Sequence, residues 1–443
     1  MKKFIETLSN IWKIEDLRKR ILYTLGLILL YRLGSYVVLP GVDPQQLQAI
    51  SQQGAKGIFS LLDIFAGGAF TRGSIFALGI MPYISASIVM QLLAMALPAL
   101  QKLQREGESG RRKINSYTRY LTVAITAAQA SGYVVYLKNG LGANVVVAPQ
   151  LFWLSSVVIL TAGTVFIMWM GERITDRGIG NGISLMITVG IIATLPFALF
   201  TEFQSRLNEG GGLIAFLMEI AAILAAVVIV ILLVQGTRKI PVQYAKRVVG
   251  NKMYGGVRQY IPLKVNAAGV MPIIFAQAIM FIPATIAQFF PDSEAMQGAV
   301  AFTNPASFWY NFVNSILIIL FTYFYTAIII NPVQMADDMK RNGGFIPGVK
   351  PGKQTANFID NVMSRITLPG ALLLAFIAMM PAFAQGLGVN SQFAGFFGGT
   401  SLLITVGVIL DTLQQIESHL LMRHYDGLMK SGRIKGRSTA PVG

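Results

Sequence analysis

Apolar residues in this chain come in long uninterrupted runs parted by short polar stretches, unlike the two-residue alternation of a half-buried strand or the single apolar stripe of a surface helix. In order, the runs predict spans near 21–38, 74–97, 117–137, 151–170 and 183–200. A second set follows near 213–234, 267–290, 312–330, 366–383 and 399–413. Most are long enough to cross about 30 Å of hydrocarbon as a helix. Where no water is present to satisfy the backbone, the helix is the default. The pattern therefore predicts an all-α polytopic membrane protein with ten transmembrane helices and both termini on one side. Five spans per half is an odd number, so halves related in structure would be inverted relative to each other. No convincing sequence repeat relates them, and a ten-helix bundle without symmetry fits the pattern equally well.

One apolar stretch, 58–66, is too short to cross, contains Asp63 and ends at Gly67 and Gly68 before Arg72. It reads as a half-helix over 58–71, placed either in a cavity or funnel, where irregular backbone is tolerated at membrane depth, or on the outer surface. The expected organisation is a cytoplasmic amphipathic segment 1–20, an N-terminal half 21–200, an external connection 201–212 and a C-terminal half 213–421. Cytoplasmic loops 236–264 and 331–365 and a cytoplasmic tail 422–443 complete it.

Composition agrees. The 443 residues are 54% hydrophobic and 13% charged, with mean hydropathy +0.59, far from soluble-domain values. Cysteine is absent, which removes disulfides, thiolate metal sites and cysteine nucleophiles. The net charge of +16 is first a matter of topology: with the N-terminus in the cytoplasm, 31 of the 36 lysines and arginines fall on cytoplasmic segments. The other five are Arg32, Lys56, Arg72, Lys138 and Arg206. Lys2, Lys3, Lys13, Arg18, Lys19 and Arg20 surround Phe4, Ile5, Leu8 and Trp12 without a cleavage site, an interfacial helix expected to be retained.

Catalytic chemistry is missing. There is no His-Glu-x-x-His, no serine elbow and no pair of acids centred in two spans, so an enzyme is not expected. Residues 347–355 only superficially resemble a phosphate loop, because Pro347 replaces its first glycine and Gln354 its metal-binding hydroxyl. No cofactor is expected. Asp411, Glu417, Glu219 and Glu172 all lie toward span ends, so an ion-coupled or lipid-handling carrier is less apt than a passive conduit. A membrane scaffold remains the third class, and the half-helix is what it would not need.

Five blocks carry a closer likeness: GGAFTRGSIFALGIMPYISASIVMQLL from Gly67, EGESGRRKINSYTRY from Glu106, WMGERITDRGIGNGIS from Trp169, LKVNAAGVMPIIFA from Leu263 and GGTSLLI from Gly398. With them the chain resembles the SecY family of protein-conducting channels over essentially its whole length. The resemblance implies an hourglass pore between two inverted five-helix halves in the plasma (inner) membrane. Secretory polypeptides cross it unfolded, and membrane segments leave it sideways into lipid.

It implies a pore ring of Ile80, Ile84, Ile187, Ile274 and Ile404, an apolar collar that would hold back ions by dewetting; singly, these isoleucines could equally be bundle packing. It implies a plug including Ile58, Phe59, Leu61, Leu62, Asp63, Ile64 and Phe65, with hinge freedom at Gly67 and Gly68 and Asp63 facing water. Ser85, Ser87 and Gln91 would line one side of a lateral gate and Asn266 and Gln277 the other. The two basic loops, with no apolar run to anchor them, would dock a SecA motor ATPase or the ribosome through Arg238, Lys239, Lys246, Arg247, Lys252, Arg258, Lys340, Arg341, Lys350 and Lys353. Lys350 stands where the family pattern has arginine, and loses the planar fork of bidentate contacts. SecE and SecG small membrane subunits, precursors bearing signal peptides and membrane lipids are the other implied partners.

Overall fold

A computed structural model describes residues 12, 14–42, 63–140, 148–209, 212–244, 247–249, 252–254, 258–289, 304–305 and 307–430. Each of the ten expected spans meets a helix: α1 Glu15–Gly34, α2 Met81–Ala96 (followed by the short α3, Pro98–Arg105), α4 Glu108–Val135, α5 Pro149–Arg177 and α6 Gly182–Glu209, then α7 Gly212–Gln235, α8 Met271–Phe289, α9 Phe308–Ile329, α11 Lys353–Gly386 and α13 Gly399–Lys430. Two further helices are shorter, α10 (Pro332–Arg341) and α12 (Ser391–Ala394). Among the described residues seven helices are long and apolar enough to cross a membrane, or eight if α2 and α3, bent by 104°, form one span.

Two of these helices begin later than expected. The spans expected from 74 and from 267 do not begin there: 75–80 and 265–270 are turns, and helix starts only at Met81 and Met271. Gly79 (φ 55°) and Gly269 (φ 63°) hold left-handed conformations that side chains resist. A proline follows each helix start, Pro82 and Pro272, where a missing N–H costs nothing. The two signals read Gly-Ile-Met-Pro and Gly-Val-Met-Pro. They are a small repeat, one in each half.

Three other expectations change. The connection 201–212 is mostly helix, since α6 runs to Glu209 and α7 begins at Gly212. The tail begins inside α13, which continues to Lys430. The basic loops are neither unanchored nor α-helical throughout. β1 (Thr237–Tyr244) pairs antiparallel with β4 (Arg258–Lys264), Ile240 opposite Ile261, and with the edge strand β5 (Gly344–Phe345), while β2 (Arg247–Val249) pairs with β3 (Lys252–Tyr254). Ile240 and Val242 alternate with exposed neighbours, the period-two signature of a one-faced sheet. With Leu263, Met339, Ile346, Ile359 and Met363 they form a separate apolar core. That core was overlooked because its members are scattered singly over two loops and the first turns of α11.

Candidate pore collar, plug and gate

The five isoleucines of the expected ring come from four places in the chain. Ile80 precedes α2 and Ile84 lies in its first turn; Ile187, Ile274 and Ile404 lie on α6, α8 and α13. Ile80, Ile84, Ile187 and Ile404 are 5%, 8%, 4% and 3% exposed and belong to one contiguous core, against which the half-buried Ile274 packs. Four-residue spacing places Ile80, Ile84 and Ile88 on one face and Ile187 with Ile191 on another. Ile64 and Phe65 of the expected plug enter the same core. The five isoleucines carry no group that transfers a proton, and among the described residues no group of three or more acids, histidines or cysteines could hold a metal ion.

Residues 63–65 are helical and 66–73 are turns, while Ile58, Phe59, Leu61 and Leu62 lie outside the described residues. Gly67 (φ 66°) and Gly68 (φ 81°) are required by conformation, and a Cβ would meet the arginine tips, 2.5 Å from Arg32 Nη1 at the first and 2.6 Å from Arg72 Nη2 at the second. Arg32 Nη1 donates to the Gly67 carbonyl (3.2 Å), and the Arg72 guanidinium stacks 4.4 Å from the Tyr36 ring centre. Arg32 and Arg72, two of the five basic residues outside the segments expected to be cytoplasmic, thus brace the turn at 66–73. Asp63, expected to face water, is half-buried. Its Oδ1 accepts from the Thr71 N–H (2.9 Å) and hydroxyl (3.0 Å), closing the turn on itself. Burial pushes the Asp63 carboxyl up, opposed by the Thr71 bonds and by Arg72. The Tyr133 hydroxyl on α4 donates to the Phe70 carbonyl (2.5 Å), an anchor that the sequence signals only as a tyrosine in an apolar span.

The gate residues do not bond to one another across α2 and α8. Gln91 donates to Ser87 (3.2 Å) on its own helix and accepts from the Tyr325 hydroxyl on α9. Gln277 donates to Thr400 on α13 (2.6 Å). Asn266 is buried, and its amide finds no hydrogen-bond partner among the described residues; Ser85 is half-buried. Tyr325 and Thr400 are therefore partners of the expected gate residues that sequence reasoning missed. Phe275 of α8 lies 4.9 Å from Tyr325, ring to ring.

Of the docking residues, Arg238 and Lys239 are exposed on β1, Lys340 and Arg341 end α10, and Lys350 and Lys353 are exposed around the start of α11. The sheet and its small core hold these three groups together. The Lys350 carbonyl accepts from the Thr355 hydroxyl (2.9 Å). Arg247, Lys252 and Arg258 lie on strands with side chains not described, and Lys246 lies outside the described residues.

Comparison with known proteins agrees with this geometry. The SecY family model matches residues 74–413. The protein translocase subunit SecY of Streptomyces scabiei is 45% identical over 438 residues, covering 95% of this chain and 99% of that one. Its counterpart in Thermus thermophilus is 45% identical over 432 residues, covering 96% and 98%. A solved protein-conducting channel superposes with TM-score 0.64 at 17% identity, covering 90% of this chain and 92% of that one. Canine Sec61, from a ribosome-channel complex of the endoplasmic reticulum, gives 0.59 at 16% over the same shares. The chain belongs to the SecY family of protein translocase channel subunits.

Proposed function

We propose that the ten helices form two inverted five-helix halves around an hourglass pore, through which unfolded secretory polypeptides leave the cytoplasm and from which membrane segments pass sideways into lipid. The observation that carries this reading is the convergence of Ile80, Ile84, Ile187, Ile274 and Ile404 on one core together with Ile64 of the plug turn. A bulky apolar collar disfavours a continuous water column yet yields to an extended chain. The paired Gly-x-Met-Pro breaks before α2 and α8, the second span of each half, support a repeat, which five spans per half would make inverted.

Both termini are cytoplasmic, by the placement of basic residues, and the membrane is the plasma membrane. The sheet with Arg238, Lys239, Lys340, Arg341, Lys350 and Lys353 receives the driving partner, a SecA-type motor or the ribosome. The solved canine Sec61 and yeast Ssh1 structures are ribosome complexes of those proteins, which supports the ribosome arm. SecE- and SecG-type small subunits complete the complex, and no catalysis by this chain is involved. A coupled-carrier reading gains nothing from the buried acids Glu202 and Glu219, which are both paired with Arg206 near one end of α6.

The chain has no cysteine, so single cysteines at positions 80, 187 and 404 can be crosslinked to a precursor stalled in passage. Crosslinks from all three are expected. A stalled precursor that reaches none of them sinks the proposal.

A further inference from the structure

Near the Glu209 end of α6 three charged side chains are withdrawn from solvent. Glu202 and Arg206 lie one turn apart on α6 and Glu219 lies on α7; their side chains are 1%, 17% and 11% exposed. Arg206 Nε donates to Glu202 Oε1 (2.9 Å), while Nη2 reaches Glu219 Oε1 (2.6 Å) and the Gly388 carbonyl (2.9 Å). The second oxygen of Glu202 accepts from the Asn390 N–H (2.9 Å). One guanidinium thus joins α6, α7 and the loop between α11 and α12. Buried ion pairs are weak contributors to net stability compared with apolar packing, and their best-attested use is to specify position.

What they position is the seat of the plug. The Asn390 side chain accepts from the Gln392 N–H (3.2 Å) and caps α12, so holding Asn390 holds that helix. Phe393 and Ala394 of α12 are buried in the same core as the collar. They are followed by Gly395, where a Cβ would lie 2.9 Å from Ile64 Cδ1. A side chain at this point would press on the tip of Ile64.

We infer that Arg206, with Glu202 and Glu219, is a positioning cluster for the closed channel: it fixes the 388–395 loop as the surface against which Ile64 rests. The inference deepens the channel reading above and rests on it. Because the cluster also bridges α6 and α7, the hairpin joining the two halves, a movement between the halves is transmitted to the plug's seat. The carboxylates are not equivalent. Glu202 uses both oxygens, whereas Glu219 Oε2 is buried without a hydrogen-bond partner among the described residues. Glutamine at 219 keeps its acceptor toward Arg206. Glutamine at 202 must turn an NH2 toward one of two N–H donors.

The test measures ion leak through the idle full-length chain, with its partner subunits, in proteoliposomes loaded with a potassium-sensitive dye. Glu202→Gln is expected to raise leak roughly tenfold, the effect of losing one charge-assisted hydrogen bond from the closed state, and Glu219→Gln by no more than about twofold. Arg206→Lys, which keeps the charge but not the fork, falls between them. In a Glu202→Gln background, the pair Ile64→Cys and Gly395→Cys should restore tightness on oxidation and lose it again on reduction, which a merely misfolded variant would not do. Equal leak from the two glutamine variants, or leak indifferent to the disulfide, overturns the inference. A tight Glu202→Gln beside a leaky Ile187→Asn overturns it alone; tightness of both variants overturns the channel reading and the inference with it.

Discussion

The carbonyl oxygen of Phe65 lies so close to Gly190 on α6 that a Cβ at that position would sit 2.5 Å from it. The segment expected to be the plug therefore rests on bare helix backbone, one turn from Ile187 and beside Ile191.

Replacing that glycine by alanine should push the plug off its seat. Overpacking costs about 1–3 kcal/mol, so the closed population should fall by roughly tenfold or more. Idle conductance of single channels in a planar bilayer reads this directly. Conductance equal to that of the parent would mean that the plug does not contribute to the seal.

Polar collar residues should wet the constriction without unfolding the bundle. Ile187→Asn or Ile404→Asn is expected to give continuous ion leak with unchanged insertion into the membrane, because the substituted side chain offers water hydrogen bonds where Ile offers none. Dye-release assays on vesicles, with Ile318→Asn on α9 as a packing control, separate a loss of collar from a loss of fold.

The Tyr325 hydroxyl donates to Gln91 and so ties α9 to α2. Interhelical hydrogen bonds in membranes average about 0.6 kcal/mol, so Tyr325→Phe should favour gate opening by about threefold. The measurable outcome is better export of precursors with weakly apolar signal segments. Reduced export of those precursors would show that the bond serves the open state instead.

The sheet that carries the basic loops should be separable from the pore. Ile359 of α11 is buried beneath β1 with Ile240 and Val242, and Ile359→Ala should cost about 2–5 kcal/mol locally. Protease cleavage within 237–264 should rise and binding of motor or ribosome should weaken, while idle leak stays at the parent level. Leak rising in step with cleavage would contradict this separation.

Much of the architecture was legible in the chain because hydrocarbon imposes a simple demand. Ten apolar runs met ten helices, whereas the half-helix expected over 58–71 is helical, among the described residues, only at 63–65 and gives way to turns in which Gly67 and Gly68 hold positive φ. The Gly-x-Met-Pro breaks before α2 and α8 were visible too, but hydropathy averages over a window and ran both spans through them.

Hydropathy and basic-residue placement determined the class of protein, its spans and an expected orientation, since these depend on transferring one segment at a time between water and lipid. Family motifs named the collar isoleucines. Only tertiary structure decided that Asp63 turns inward to Thr71, that Gln91 and Gln277 bond to Tyr325 and Thr400 rather than across the gate, and that the basic loops share a sheet and a core. It alone brought Arg206, Glu202, Glu219 and Asn390 together across distant parts of the chain. Such partners are chosen by distance and direction in three dimensions, and a run of residue types carries neither.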